Sequence, residues 1–180
     1  MDTSQLENEA ESYISSRLAN AGLLVAKPKF DHLGTDLLVF SEMNDGLKFC
    51  RIQCKGRSFK ASDSTNISIP TSYISDAFIV FLYIGEPKNE PLLYLFFPNE
   101  IKKWNIKKGS YQLNLSKNHY EEKLSQFKVT SLKMTALKKV IEAANVTGEF
   151  KQMIVSEVNF SIPGPKFSIH ASVSTGKNDD

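Results

Sequence analysis

The chain has 180 residues, 41% of them hydrophobic and 11% aromatic, enough to bury one full core without a covalent staple. A formal net charge of +2 is too small to argue for a nucleic-acid partner from the field of the whole molecule, so such an argument must rest on local patches. Cys50 and Cys54 are the only cysteines; with neither a second pair nor clustered histidines they make no zinc site and read as small buried hydrophobes.

Met1 to Glu11 is acidic and polar, unlike the basic start and apolar run of a secretory signal, and no stretch approaches transmembrane length. The expectation is a soluble, reducing, cytoplasmic setting with no membrane partner. From Thr3 to Ala21 the spacing is helical, with Leu6, Ala10, Ile14, Leu18 and Ala21 on one stripe and Gly22 placed to stop it. Leu23–Phe30, Asp36–Ser41 and Leu47–Gly56 are short and mostly apolar, with Asn44, Asp45 and Gly46 marking a hairpin between the last two. A helix followed by a three-stranded meander results.

Pro70 to Asp76 reads as a short helix. Phe78–Ile84, short, aromatic, β-branched and closed by Gly85 and Pro87, reads as a buried central strand, and Leu92–Phe97 as its neighbour. Pro98–Trp104 suggests a brief helix, Tyr111–Leu115 an edge strand, and Leu132–Ala144 an amphipathic helix ending near Gly148. The expected division is a compact domain over residues 1–148 and a C-terminal hairpin and tail over 149–180. Within the tail, Val158, Phe160 and Ile162 alternate, Pro163-Gly164-Pro165 breaks the chain, and Phe167, Ile169, Ala171 and Val173 alternate again. An ordinary sheet edge is favoured there over an arm that pairs two copies into a homodimer.

Chemistry concentrates on the third strand. Side chains alternate along a strand, so Phe49, Arg51, Gln53 and Lys55 share one face and Cys50, Ile52 and Cys54 the other. A two-residue turn at Asp45-Gly46 sets Asp36 opposite Lys55 and diagonal to Gln53; a turn at Asn44-Asp45 sets Asp36 opposite Gln53 and diagonal to Lys55. Either register gathers Asp36, Gln53 and Lys55, whereas an unbulged odd loop destroys the cluster. A carboxylate, an amide oxygen and the Cys54 carbonyl are hard oxygen ligands of the sort Mg²⁺ takes, and a lysine beside them could hold a phosphate or orient a water. Glu11 lies with Glu7, Ile14 and Leu18 on a stripe bordering the apolar face of the first helix, from which its carboxylate could reach the same place.

A helix bearing Ala10-Glu11, then Gly34-Thr35-Asp36-Leu37-Leu38-Val39, then Arg51-Ile52-Gln53-Cys54-Lys55-Gly56-Arg57 resembles the PD-(D/E)XK, or restriction-endonuclease-like, superfamily. The likeness spans roughly Ala10 to Ile84 and is closest to members carrying Q-x-K. Thr35 stands where the usual pattern has proline, and Gln53 where it more often has glutamate.

The resemblance implies an α/β fold with an αβββαβ core, its mixed central sheet flanked by helices. It implies a nuclease that hydrolyses phosphodiester bonds of DNA with Mg²⁺ or Mn²⁺ and a metal-activated water. Asp36, Gln53, the Cys54 carbonyl and Glu11 would be the metal shell, and Lys55 would place phosphate and water. RNA remains open as a substrate. The alternative is a non-catalytic nuclease-like module that binds nucleic acid or a partner protein. Outside this cluster, Arg57 and Lys60 lie just beyond the Q-x-K strand and are candidates for phosphate contact. Lys102 and Lys103, with Lys107 and Lys108, surround Trp104 in a basic cluster that could track a nucleic-acid backbone, although Trp104 tucked into the core is favoured. His32 is the one histidine near the proposed site.

Overall fold

The computed structural model describes residues 3–29, 33–43, 46–59, 62–85, 90–143 and 155–159. Helix α1, Thr3–Asn20, buries the expected stripe of Leu6, Ala10, Ile14 and Leu18 and ends at Gly22, whose φ of +77° is the left-handed conformation that terminates helices. The chain then runs through β1 (Leu24–Pro28), β2 (Leu37–Met43) and β3 (Gly46–Arg57) as an antiparallel meander. After β4 (Ser64–Pro70) come β5 (Phe78–Ile84) and β6 (Leu92–Phe96). The expected elements up to β3, and β5 and β6, are present to within a few residues at their ends.

The central sheet has six strands in the order β6-β5-β3-β2-β1-β9, where β9 is Val155–Asn159. It is mixed: β3 and β5 run parallel and every other neighbouring pair is antiparallel. A parallel pair needs a crossover, and here β4 and a single 3-10 turn at Thr71–Tyr73 supply it. That turn is all that forms of the short helix expected over Pro70–Asp76. The preceding residues are drawn instead into a second sheet, where Ile67 and Ile69 are buried on alternate positions of β4.

The second sheet, β4-β8-β7, is built from β4, β7 (Asn105–Lys107) and β8 (Ser110–Ser116). The strand expected at an edge around Tyr111–Leu115 is therefore a central one, flanked by the crossover strand on one side and by its own hairpin partner on the other. Two further helices, α2 (Pro98–Ile101) and α3 (Tyr120–Leu124), bracket the β7–β8 hairpin in sequence, and α4 (Ser131–Ala143) follows.

Two apolar clusters fill the space between layers. One holds the α1 stripe, Leu137 and Ile141 of α4, and the β3 side chains Cys50, Ile52 and Cys54. The other lies on the opposite face, where Phe78, Val80, Leu82 and Ile84 of β5 meet Ile67, Ile69, Leu113 and Leu115 of the second sheet. Both cysteines are buried and unbridged, as expected, and burial pushes the Cys50 thiol up to about 12.

At the far edge, β9 pairs antiparallel with β1, with a register shift between Lys27 and Pro28. Val158 thus belongs to an edge strand of the central sheet. The remainder of the expected hairpin, from Phe160 onward, lies outside the described residues, as do Lys60 and His32. Among the described residues no helix is long and apolar enough to cross a membrane.

Candidate functional site

The β2–β3 ladder closes with Met43 opposite Gly46 and runs back to Leu37 opposite Ile52. Of the two registers open from the sequence, this is the one that sets Asp36 across from Gln53 and diagonal to Lys55. The ladder ends there, and Asp36 ties the end down twice. Its N–H donates to the Ile52 carbonyl at 2.9 Å, and its Oδ2 accepts the Cys54 N–H at 2.6 Å. The carboxylate thus takes the place that a further β2 carbonyl would have had, leaving the sheet open beyond it.

Gln53 and Lys55 pair in register with Val80 and Leu82 of β5, so they share the face turned toward the second sheet. Gln53 is 6% exposed, and its Oε1 has no hydrogen-bond partner among the described residues. A buried acceptor left without a donor costs about 1–3 kcal/mol, and such an atom asks for a water, an ion or a substrate proton. Its Nε2 lies under Gly34, a residue at φ +68° whose notional Cβ would stand 2.8 Å from that nitrogen and 2.5 Å from the Tyr73 ring. The glycine of the Gly34-Thr35-Asp36 turn is therefore required twice, by its backbone and by the Tyr73 ring and the Gln53 amide packed against it.

Arg51, one step back on the same face, is 2% exposed. It donates to the Tyr73 carbonyl at 3.1 Å and to Ser75 Oγ at 2.8 Å, and its guanidinium stands 5.3 Å from the centre of the Phe78 ring. Arg51 thereby fixes the 3-10 turn that carries Tyr73 over Gly34.

Glu11 sits differently. Helix α1 packs on the Cys50–Ile52–Cys54 face, so close that a Cβ on Gly56 would meet the Leu6 carbonyl oxygen at 2.6 Å. From that side Glu11 pairs with Lys27, which no motif in the sequence marks. The alternation Val25-Ala26-Lys27 on β1 carries the missed signal, since it puts Lys27 on the face of buried Val25, under α1. The hydrogen bond to Glu11 holds the Lys27 ammonium above its ordinary value, and the Asp36 carboxylate acts in the same direction. Burial raises the Cys54 thiol, with Asp36 and Glu11 adding to the rise and Lys55 and Lys27 opposing it. Two carboxylates and two ammonium groups therefore lie within electrostatic reach of one point on β3.

Among the described residues, no group of three or more His, Cys, Asp or Glu side chains is placed to hold a metal ion. The oxygen donors assembled at the end of β2 are the Asp36 carboxylate, Gln53 Oε1 and backbone carbonyls, with the Glu11 carboxylate on the other side of the sheet.

The candidate phosphate contacts divide. Arg57 donates to the Gly56 carbonyl at 2.7 Å and twice to the Asn66 carbonyl, at 3.2 and 3.3 Å, and stands 3.9 Å from Glu7. Burial lowers its pKa. In this arrangement it bridges β3, β4 and α1. Lys102 and Lys103 are exposed at the end of α2. Trp104 beside them is half-buried and packs edge-on to Phe96 at 5.1 Å.

No family model and no curated protein matches the chain. Among solved structures, a bacterial homing endonuclease, I-Ssp6803I, is similar, with a TM-score of 0.51 and 16% identity over 79% of this chain and 96% of that one. At that identity the likeness is one of fold.

Proposed function

We propose that this chain is a PD-(D/E)XK nuclease of the Q-x-K type that hydrolyses DNA phosphodiesters at the open end of β2. The observation that carries the reading is the register of the β2–β3 hairpin, which sets Asp36 across from Gln53 and diagonal to Lys55. The fold likeness to an endonuclease supports it. On this reading α1, the β1–β3 meander and β5 correspond to the αβββαβ core, with the connecting helix reduced to the turn at Thr71–Tyr73.

Asp36, Gln53 Oε1 and the Cys54 carbonyl would hold Mg²⁺ or Mn²⁺, while Glu11, paired with Lys27 on the α1 side of the sheet, would act from outside that shell. The orphaned Oε1 fits an ion of this hardness. Bound there, the metal supplies Lewis-acid polarisation of a phosphoryl oxygen and a water acidic enough to attack near neutral pH. Lys55 offers a positive charge to the phosphate and a donor to orient that water. Lys27, paired with Glu11, would hold that carboxylate in position.

Lys55→Ala is expected to lower DNA cleavage at least about a hundredfold, with the unfolding midpoint moved by no more than about 1 kcal/mol, since Lys55 is only partly buried. Excess chelator should abolish cleavage of plasmid, single-stranded and branched DNA alike. Cutting that persists in chelator, or full turnover by Lys55→Ala, contradicts the mechanism. A second reading, a nuclease-like module that binds DNA without cutting it, is favoured by two contacts that occupy the carboxylates, Asp36 with the Cys54 N–H and Glu11 with Lys27. It predicts DNA retention by the wild type with no product under any divalent cation.

A further inference from the structure

A cavity of about 500 Å³ lies away from Asp36, between α2 and β7 on one side and α3 on the other, with β8 between them. Its volume falls within the range of small-molecule sites, and besides Leu113 and Leu124 its lining is of three chemical kinds.

The first kind is aromatic. Trp104 and Phe127 both line the cavity, and both pack on Phe96, at 5.1 Å edge-on and 4.8 Å tilted respectively. Phe96 is buried, so it fixes the two rings while Trp104 keeps part of its surface free. A rigid, half-exposed indole at a cavity wall is a stacking platform.

The second kind is amide and backbone. The β7–β8 ladder stops at Asn105 opposite Gln112, so beyond that pair β7 does not cover the edge of β8. The Asn114 carbonyl faces the gap and accepts a hydrogen bond from Lys123 Nζ at 2.9 Å. A residue's N–H and C=O point the same way in a strand, so the Asn114 N–H faces the gap as well. With Gln112 and Asn114 both lining the same cavity, donors and acceptors stand together, as the edge of a nucleobase requires.

The third kind is charge. Glu100 is the one carboxylate in the lining, and it is already engaged: it accepts the Phe97 N–H at 2.8 Å and pairs with Lys133 at 3.2 Å. Lys103 and Lys123 line the wall beside it, and the exposed Lys102, Lys107 and Lys108 lie close by in sequence. The balance at the mouth is positive.

A stacking ring, paired amides on an open strand edge and cations at the mouth match one ligand class. We propose that this cavity binds a nucleotide unit, its base against Trp104 and its phosphate at Lys103, presented free or within a single-stranded segment. Lys103 and Trp104 thereby act together at a site separate from the Asp36 cluster, and binding there does not depend on hydrolysis.

Trp104 is the only tryptophan of the chain, so its fluorescence reports the site directly. The full chain is titrated in chelator with nucleoside monophosphates in one arm and a short single-stranded oligonucleotide in the other. Saturable quenching in either arm supports the proposal, and the arm that saturates identifies the source. Asp36→Ala, which removes the proposed cleavage site, should quench as the wild type does. Lys103→Glu, at an exposed position that leaves packing intact, should weaken binding at least about tenfold. Trp104→Leu, followed by anisotropy of labelled ligand, should weaken it as much. No quenching in either arm, or binding that both variants leave unchanged, overturns the proposal. So does binding lost in Asp36→Ala alone.

Discussion

Alternate residues of β3 meet two different environments. Cys50, Ile52 and Cys54 sink into the layer under α1 and α4, where neighbours are apolar and burial raises both thiols. Arg51, Gln53 and Lys55 face the other way, and there a few polar contacts stand in for bulk packing: Arg51 Nη2 donates to a carbonyl and a hydroxyl, and Gln53 Nε2 packs under Gly34. Gln53 Oε1 stands without a partner among the described residues. The apolar face is over-determined, because many contacts would each have to fail before it changed. The polar face hangs on a few specific groups, one of which has no structural purpose yet assigned. On the proposed reading, the buried amide beside a carboxylate and a lysine is kept, at some cost in stability, for the metal and the phosphate.

The comparison breaks most visibly on the apolar side. Ile52 is fully buried against α1, and Ile52→Ala should cost about 2–5 kcal/mol in denaturant unfolding. A loss under about 1 kcal/mol would mean the α1 layer is far looser than described. On the polar side, Gly34→Ala forces a Cβ into the Tyr73 ring from a left-handed backbone, for a loss of about 1–3 kcal/mol. Because it displaces the roof over Gln53, cleavage should fall by more than the stability loss explains, while Ile52→Ala, assayed well below its unfolding midpoint, retains the wild-type rate.

A smaller effect sharpens the contrast through pH. The Cys50 thiol, with an ordinary value of 9.0, is pushed up to about 12 by burial, so above pH 9 the unfolded chain loses a proton that the folded chain keeps. Fewer protons on the unfolded state mean that stability is complete below pH 9 and falls between 9 and 12, by about tenfold in the folding equilibrium per pH unit for one thiol. The Cys54 thiol is raised too, steepening the fall. Cys50→Ala should flatten the plot of unfolding free energy against pH by one proton's slope. An unchanged slope would show that Cys50 is not buried as described.

Most of this arrangement is written in local pattern. Phe78–Ile84 is read correctly to both ends because an unbroken apolar run closed by glycine and proline has one interpretation. The hairpin is legible to within one residue of register, the choice between its two forms resting on which pair of Asn44, Asp45 and Gly46 makes the turn. The second sheet was not legible. In Ser64–Pro70 only Ile67 and Ile69 are buried, too short an alternation to announce a strand, and without it Tyr111–Leu115 looks like an edge. Helical spacing puts Glu11 beside the apolar stripe, but its partner Lys27 comes from a strand whose face is known only once β1 is in the sheet.

What the polar face of β3 is for turns on Gln53. Calorimetric titration of Mn²⁺ into wild type, Gln53→Glu and Asp36→Ala measures this directly. A site formed by Asp36 and Gln53 Oε1 predicts measurable binding by the wild type, affinity about tenfold tighter with the added carboxylate, and none in Asp36→Ala. Three identical titrations would mean that no metal is held here, and the nuclease reading of this face would fall even though the fold stands.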